Sequence, residues 1–262
     1  MVQYMSYKLA EIAVIYQKIM SQSELVITED GSHSLRDART GETYHSKHGA
    51  VQESRHIFIE RGLHCCSLNE IEIFEVGFGT GLNAYLSWME AEKNGINLRY
   101  TSVELYPLAQ LEWEKLNFES VLSNMPEPKL SNDSYEPVTH STGATQPATP
   151  LFQQLHTCSW GSFHQLSPCF SFRKLQVDFS VYTPDRSYDL IYFDAFSPEK
   201  QPELWLPERF ATLARHCNRG AILTTYCAKG IVKQALRDAG FTVERLKGPP
   251  GKRHMLRGRW LE

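Results

Sequence analysis

The sequence predicts an α/β fold built on a largely parallel β-sheet, with a small β addition at its N-terminal side. The first observation is the segment 71–83, where an apolar run leads into three alternate glycines and then into a helical pattern. A strand, tight turn and helix in this order are typical of the first crossover in a doubly wound sheet. The second is a pair of continuous apolar runs, 189–193 and 221–226, of the kind that buried parallel strands require.

The composition fits a soluble protein of this class. The chain has 262 residues, of which 22% are charged and 42% hydrophobic, and its net charge is −3. This charge excludes a generally basic nucleic-acid binder but leaves room for a local basic patch. The six cysteines form no C-x-x-C pair and follow no secretory signal, which favours a reduced, cytoplasmic protein. No apolar run has membrane-spanning length, and no partner protein is indicated.

The pattern divides the chain into an N-terminal extension, 1–22, and a single domain, 23–262. Residues 123–150 are rich in Pro, Ser, Thr and Asn, and we expect a flexible surface loop within the domain. Four potential metal ligands follow this loop without a paired spacing, which favours ordinary structural roles and predicts no metal site. They are His156, Cys158, His164 and Cys169.

The glycines of the first crossover follow the spacing Gly-x-Gly-x-Gly at Gly77, Gly79 and Gly81. This spacing differs from the G-x-G-x-x-G of dinucleotide enzymes and from the P-loop, so it does not indicate a pyrophosphate. Glycine allows the backbone to approach a ligand closely. Glu75, at the end of the strand, would place a carboxylate beside that ligand. Such a site suits a cationic cofactor, and S-adenosylmethionine, with its sulfonium and α-amine, fits.

Acidic residues also end the other predicted strands. Glu104 closes a strand over 98–104, about 20 residues beyond the last glycine, where doubly wound sheets hold ribose hydroxyls. The alternative is a strand-end charge facing water. Asp178, in a predicted strand over 172–181, is a candidate for the adenine amino group. Asp194 follows a buried strand and reaches the ligand-binding edge of the sheet.

Two segments flanking these strands have open interpretations. Short strands over 24–46 and a helix over 49–61 surround His45, Lys47 and His48, which form either a solvated helix entry or a cover for the cofactor site. A closing hairpin over 241–260 carries six basic residues against two acidic ones. Its basic turn is either a solvated surface or a contact for phosphates.

Three blocks, 75–83, 194–205 and 247–256, together resemble the methyltransferase half of the bifunctional enzymes that make 5-methylaminomethyl-2-thiouridine at the tRNA wobble position. The resemblance also takes in 44–46 and 52–54, and it spans roughly residues 24–260 in the same order. It implies a Rossmann-like, S-adenosylmethionine-dependent fold that methylates the primary amine of 5-aminomethyl-(2-thio)uridine in tRNA. Because the sequence ends at Glu262, a stand-alone form without the FAD oxidase is expected.

The resemblance also implies a set of site residues. The catalytic residue would be Asp194, which would take the substrate amine. The cofactor would be bound by Glu53, Glu75, Gly77, Gly79, Thr80, Gly81, Asn83, Glu104 and Asp178. Substrate and tRNA would be bound by Phe196, Lys247, Lys252 and Arg253.

The chemistry of the expected reaction limits what Asp194 can do. An alkylamine resembles lysine, with a pKa of about 10, and is protonated at neutral pH. A carboxylate can bind the ammonium and stabilise positive charge developing on nitrogen. At an unshifted pKa of about 3.9, Asp194 would be a poor proton acceptor, so orientation of the amine is the expected role. Phe196 or Trp205 could stack on the exposed base, or pack under the loop.

Two other functions fit parts of the pattern. A polyamine aminopropyltransferase shares the sheet and an acid after the fourth strand, but the basic closing loop argues against a polycationic substrate. An inactive methyltransferase-like RNA-binding module could retain the basic loop, yet it would not need Glu75, Glu104 and Asp194 together.

Overall fold

The computed structural model describes residues 23–124 and 150–262. The predicted extension, 1–22, and residues 125–149 of the predicted loop lie outside the described residues. The first two residues of that loop, 123 and 124, instead form the last turn of a helix, Phe118–Asn124.

The N-terminal β addition is a hairpin of β1 (Glu24–Ile27) and β2 (His33–Arg36), paired antiparallel as predicted. In its turn, the Asp30 carboxylate accepts a hydrogen bond from the backbone N–H of Gln52 at 3.0 Å. This hydrogen bond links the hairpin to the helix that follows it.

The other eight described strands form one sheet. They are β3 (Glu70–Val76), β4 (Asn97–Glu104), β5 (His164–Ser167), β6 (Phe170–Gln176), β7 (Tyr188–Phe193), β8 (Cys217–Thr225), β9 (Thr242–Lys247) and β10 (His254–Arg259). Their order is β5-β6-β4-β3-β7-β8-β10-β9. The five inner strands from β6 to β8 pair in parallel, whereas β5, β10 and β9 are antiparallel.

The described helices pack on both faces of this sheet. They are α1 (Ala50–Ser54), α2 (Leu82–Asn94), α3 (Gln110–Trp113), α4 (Phe118–Asn124), α5 (Leu151–Thr157), α6 (Pro207–Ala214) and α7 (Gly230–Asp238). Helix α1 continues as a π-helical segment, Arg55–Glu60, and short 3₁₀ turns cover Leu63–Cys65 and Pro202–Trp205. No helix in the two described ranges is long and apolar enough to cross a bilayer.

The strand order reverses between β3 and β7. From β3 the chain adds β4 and then β6 on one side, and it returns to add β7 and β8 on the other. Open α/β sheets bind ligands in the crevice that this reversal leaves at the carboxyl ends of the strands. The predicted doubly wound α/β fold is therefore confirmed, and it places the expected site between β3 and β7.

The alternation of side chains along β3 determines which of them face each layer. Ile71 and Ile73 pack into the core on the α2 side, whereas Phe74 and Val76 pack into the core on the α6 and α7 side. Because strand side chains alternate with a period of two, Glu75 faces the α2 layer. Its carboxylate is consequently buried beneath the helix.

The predicted strand over 172–181 is too long at its end. Strand β6 stops at Gln176, opposite Glu104 in β4. Since β4 also ends there, the chain beyond Gln176 has no strand to pair with and turns away. Asp178 lies in the resulting loop.

Candidate functional site

A cavity of about 570 Å³ opens at the carboxyl ends of β3, β4 and β7. Its floor is the glycine-rich turn after β3, and part of its wall comes from residues 41–47, which follow the N-terminal hairpin. The sequence-predicted residues that line it are Glu53, Gly77, Gly79, Thr80, Asn83, Glu104, Asp178, Asp194, Phe196 and Lys252. The fold thus brings ten of the fourteen predicted residues to one cavity.

The glycine-rich turn needs its glycines at Gly77 and Gly79. Both have positive φ, of 92° and 50°. A Cβ on Gly77 would lie 2.6 Å from the backbone oxygen of Asp194, and one on Gly79 would lie 2.9 Å from the Tyr44 ring. Side chains at these positions would therefore fill the floor of the cavity or displace its walls. Gly81 packs instead against Phe78, outside the cavity lining.

Asn83, in the first turn of α2, joins two acids on neighbouring strands. Its Nδ2 donates to Glu75 Oε1 at 3.1 Å and to Asp194 Oδ2 at 2.8 Å. Its Oδ1 is buried and has no hydrogen-bond partner among the described residues. Glu75 also accepts a 2.7 Å hydrogen bond from the Ser102 hydroxyl. Both amide hydrogens of Asn83 are therefore committed to carboxylates.

The position of Glu75 differs from the expectation that its carboxylate lies beside the ligand. Glu75 is 0% exposed and lies behind Asn83, outside the cavity lining. Burial raises its pKa to about 8, with the nearby charge of Asp194 adding to the effect against the hydrogen bonds from Ser102 and Asn83. Its influence on a ligand therefore passes through Asn83.

Asp194 lies at the cavity wall with a shifted acidity. Burial, and then the charge of Glu53, raise its pKa to about 7, while the Asn83 hydrogen bond and Lys252 act in the opposite direction. Asp194 was expected to be a poor proton acceptor because its pKa was taken as the ordinary value of about 3.9. Since burial raises this pKa, that reason no longer applies. An acid with a pKa near neutrality can accept a proton at physiological pH.

Two further acids line the cavity, one at the end of β4 and one just beyond β6. Glu104, at the end of β4, accepts hydrogen bonds from the backbone N–H groups of Gly79 at 3.0 Å and Tyr106 at 2.9 Å. Asp178 accepts a 2.8 Å hydrogen bond from the backbone N–H of Ser180. These contacts fix both carboxylates, and both residues line the cavity rather than the outer surface.

Lys252 is not positioned as an outward phosphate contact. Its Nζ lies 2.5 Å from Glu53 Oε1 and 4.0 Å from the centre of the Tyr226 ring. Lys247 and Arg253, from the same antiparallel hairpin of β9 and β10, are exposed and lie outside the cavity lining. The basic turn therefore divides into one cation that lines the cavity and two that face solvent.

Residues 43–47 form part of the wall, which favours the interpretation of this segment as a cover. The His45 Nε2 lies 2.6 Å from the Thr80 hydroxyl, and burial lowers the pKa of His45 to about 4, so its ring is neutral. Lys47 also lines the cavity, but His48 is exposed and pairs with Glu29.

Sequence reasoning gave no individual role to two aromatic residues of the wall, Tyr44 and Tyr226. The Tyr44 ring packs against Phe196 at a centroid distance of 5.0 Å. The Tyr226 hydroxyl donates to the backbone oxygen of Ala195 at 2.9 Å. Tyr226 ends the predicted run 221–226, and a residue just beyond a strand at this edge was the available signal.

Of the two aromatic residues proposed to stack on a base, Phe196 lines the cavity and Trp205 does not. Trp205 is 5% exposed, packs against Phe193 and Phe210, and donates its indole N–H to the backbone oxygen of Phe196. Its role is hydrophobic packing under the loop, the alternative that the sequence had left open.

The His and Cys residues beyond the predicted loop do not form a metal centre. Within the described ranges, no group of three or more His, Cys, Asp or Glu side chains has a metal-binding arrangement. His156 stacks on Trp113 with ring centroids 4.8 Å apart and points its Nε2 at the backbone oxygen of Thr80. It supports the glycine-rich turn.

The cavity fits S-adenosylmethionine on three observations. The glycine turn leaves room where side chains would collide, and a buried Asn83 oxygen lies at the wall with no partner among the described residues. Glu104 lies where a doubly wound sheet binds ribose hydroxyls. An amide oxygen and carboxylates are acceptors suited to the ammonium and hydroxyl groups of this molecule.

Known proteins are similar to this chain in sequence and in fold. Residues 175–260 match a family of S-adenosyl-L-methionine-dependent methyltransferases. The tRNA 5-methylaminomethyl-2-thiouridine biosynthesis bifunctional protein MnmC of Delftia acidovorans is 31% identical over 229 residues, covering 83% of this chain and 32% of that protein. The MnmC of Burkholderia thailandensis is 29% identical over 252 residues, covering 89% of this chain and 34% of that protein. The chain thus spans about a third of the length of these relatives.

A solved structure shows the same fold. The crystal structure of MNMC2 from Aquifex aeolicus aligns with a TM-score of 0.63 and 23% identity, covering 91% of this chain and 70% of that one. By its family match over residues 175–260, this chain belongs with the S-adenosyl-L-methionine-dependent methyltransferases, and over most of its length it is similar to about a third of the bifunctional MnmC proteins.

Proposed function

We propose that this chain transfers a methyl group from S-adenosylmethionine to the primary amine of 5-aminomethyl-(2-thio)uridine at the tRNA wobble position. The product would be 5-methylaminomethyl-(2-thio)uridine. The observation that carries the proposal is Asp194, a carboxylate with a pKa of about 7 that Asn83 holds at the cavity wall. The relatives of this chain are named for the biosynthesis of the methylated nucleoside.

The cofactor would lie over the glycine-rich turn. Bound there, S-adenosylmethionine supplies an electrophilic methyl group on a sulfonium. We assign its ribose to Glu104, its adenine to Asp178 and its amino-acid end to Asn83, with Gly77 and Gly79 leaving room for its close approach. Glu75 supports Asn83 from behind through a hydrogen bond.

Asp194 would prepare the substrate amine. An alkylammonium with a pKa of about 10 must lose a proton before its nitrogen can attack. A carboxylate with a pKa of about 7 is a better proton acceptor than an exposed aspartate, and burial of the ammonium lowers the pKa of the amine toward it. We therefore assign Asp194 both the orientation of the amine and the acceptance of its proton.

The rest of the nucleoside would contact the outer wall. Phe196 presents a half-buried ring to the cavity, supported by Tyr44, and an unpaired RNA base can stack on such a ring. Lys247 and Arg253 are exposed on the hairpin beside the cavity residue Lys252, where they can contact phosphates of the tRNA. A tRNA substrate agrees with the expected cytoplasmic location and with six free cysteines.

The substitution Asp194→Asn tests this function. It keeps the shape of the side chain and removes the proton acceptor, so we expect methyl transfer to fall by about 10²- to 10⁴-fold while the affinity for S-adenosylmethionine changes little. Transfer of labelled methyl to tRNA carrying 5-aminomethyl-2-thiouridine, and calorimetric titration of the cofactor, measure the two quantities. In the unsubstituted protein, kcat/KM should rise with pH through about 7 as Asp194 loses its proton.

Asp189→Asn is a matched control. Asp189 lies in β7, at the end opposite Asp194, where its carboxylate accepts hydrogen bonds from the backbone N–H of Glu72 and the side-chain amide of Asn218. We expect the control to retain methyl transfer. If Asp194→Asn keeps most of its turnover, Asp194 has no part in the reaction. An equal loss of cofactor affinity would move Asp194 to the cofactor site.

A further inference from the structure

Glu53 and Tyr226 form a cation site inside the cavity, and the ammonium of Lys252 occupies it. The Lys252 ammonium lies 2.5 Å from the Glu53 carboxylate and 4.0 Å from the centre of the Tyr226 ring. A carboxylate on one side and an aromatic face on the other attract an alkylammonium by charge and by the ring quadrupole. We call these two groups, Glu53 and Tyr226, the ammonium box.

Both side chains of the ammonium box are held in place by hydrogen bonds to the backbone. Glu53 is 6% exposed, in α1, and its second oxygen accepts a 2.7 Å hydrogen bond from the backbone N–H of Ser46. The Tyr226 ring is fixed by the hydrogen bond from its hydroxyl to Ala195. A buried carboxylate held in this way requires a cation partner, and Lys252 supplies one.

Lys252 is the part of this cluster that can leave. Its side chain is 31% exposed, compared with 8% for that of Glu53. Its backbone N–H bonds to Pro249 within the surface turn of the hairpin, so the backbone position does not depend on the box. A lysine stem has four rotatable bonds, and the ammonium can therefore swing toward solvent while the hairpin stays in place.

The box adjoins the proposed point of methyl transfer. Asp194 lines the same cavity, and the charges of both Glu53 and Lys252 act on its pKa in opposite directions. Replacing Lys252 by another ammonium would leave the net charge around Asp194 unchanged. An amine could thus enter without leaving Glu53 buried and unpaired.

We propose that Glu53 and Tyr226 are a binding subsite that receives the alkylammonium of the substrate before Asp194 orients the amine and accepts its proton. Lys252 occupies this subsite in this structure and surrenders it when the substrate enters. This inference rests on the proposed function and reassigns Glu53, which the sequence had placed with the cofactor. Released Lys252 then lies on the hairpin with Lys247 and Arg253, where tRNA phosphates are expected. One ion pair, Glu53 with Lys252, is thereby replaced by two, Glu53 with the substrate ammonium and Lys252 with a phosphate, so the site selects an amine that is attached to a polyanion.

Titration of n-butylammonium into the full chain tests the subsite without tRNA. If Lys252 fills the box about nine-tenths of the time, its removal in Lys252→Gln should tighten the apparent affinity about tenfold. Glu53→Gln should weaken binding in either background. Tyr226→Phe, which keeps the ring but loses its hydrogen bond to Ala195, should weaken binding less than Tyr226→Leu, which removes the ring. Lys247→Gln, on the same hairpin but outside the cavity, should leave n-butylammonium affinity unchanged.

Substrates with and without phosphates should respond differently to Lys252→Gln. For the free 5-aminomethyluridine nucleoside, Lys252→Gln should lower KM, because a competitor is gone. For the tRNA the same gain is offset by the loss of a phosphate contact, so the ratio of the KM for tRNA to the KM for the nucleoside should rise. A lysine with only a structural role predicts an unchanged ratio, and that result would overturn the exchange.

Other outcomes separate the subsite from the proposed function. If n-butylammonium binds Lys252→Gln no more tightly than the unsubstituted protein, the subsite is wrong even if tRNA is methylated. If it binds more tightly and no tRNA is methylated, the subsite stands and the proposed function fails. If Lys252→Gln binds S-adenosylmethionine more tightly while its affinity for n-butylammonium is unchanged, the box belongs to the cofactor site and the proposal is overturned. Lys252→Met, which keeps the apolar stem, replaces Lys252→Gln in every arm if melting shows that the glutamine variant does not fold.

Discussion

Asn83 donates a 2.8 Å hydrogen bond to Asp194, which connects the first turn of α2 to the end of β7. The same nitrogen donates to Glu75 at the end of β3. Two acids on adjacent strands therefore share one amide, and their separation is fixed by a side chain that neither strand carries. The orientation and the acidity of Asp194 both depend on this contact.

Replacing Asn83 by Ala should shift the pH dependence of methyl transfer. The Asn83 hydrogen bond lowers the pKa of Asp194, so its loss raises that pKa and moves the rising limb of kcat/KM to higher pH. Leaving the buried Glu75 carboxyl without this donor should also lower the free energy of unfolding by about 1–3 kcal/mol. A pH–rate profile and denaturant unfolding measure the two effects.

Ser87→Ala is the matched control for Asn83→Ala. Ser87 lies one turn further along α2, is fully buried and bonds to the backbone oxygen of Asn83 and to the Tyr192 hydroxyl. Its loss should also destabilise the protein but leave the pH–rate profile in place. An unshifted profile for Asn83→Ala would show that the amide does not govern the acidity of Asp194.

Gly77→Ala should damage the site more than its backbone strain alone explains. A Cβ at Gly77 would lie 2.6 Å from the backbone oxygen of Asp194 and would push the end of β7 away. Gly161→Ala is a control with a similar backbone angle, because Gly161 has a φ of +94° and a Cβ there would meet nothing within 4 Å. We expect Gly77→Ala to lose methyl transfer and Gly161→Ala to lose only stability. Equal activity in the two variants would show that the contact between position 77 and the backbone of Asp194 does not matter for the site.

The sequence predicts the sheet and the floor of the site because both depend on local patterns. Continuous apolar runs indicate buried parallel strands, and strand ends in such a sheet converge on one edge. Asp194 and Glu104 were identified in this way. The direction of Lys252 was not predictable, because it depends on Glu53, about 200 positions away in the sequence. The burial of Glu75 follows from its period-two position under α2, which requires knowing which face the helix covers.

Glu75→Gln should reduce the loss of stability with rising pH. Burial raises the folded-state pKa of Glu75 to about 8, above the ordinary carboxyl value of 4.5 that applies in the unfolded chain. The unfolded chain therefore releases the proton first, and the stabilisation from the protonated form is lost as pH rises from about 4.5 to about 8. Melting temperatures across this range should fall less steeply in the glutamine variant. Parallel curves would show that Glu75 ionises normally in the folded protein.

Removing both exposed cations of the hairpin, in Lys247→Ala with Arg253→Ala, should weaken tRNA binding and leave cofactor binding unchanged. Each lost phosphate contact should flatten the slope of log affinity against log salt by about 0.7 to 0.9. Lys252 stays in place, so the change does not involve the Glu53 ion pair. Filter binding or calorimetry at two or more ionic strengths gives the slope.

A second double variant, Lys233→Ala with Arg237→Ala, removes the same charge from α7. A general reduction of positive charge weakens tRNA binding similarly in both double variants, because long-range attraction depends on net charge. Direct contact predicts a flatter slope for the hairpin variant alone. Methylation of the free nucleoside should be unaffected by either change, since a nucleoside has no anticodon-stem phosphates. If the hairpin variant keeps the affinity and slope of the unsubstituted protein, the tRNA backbone is held by another surface.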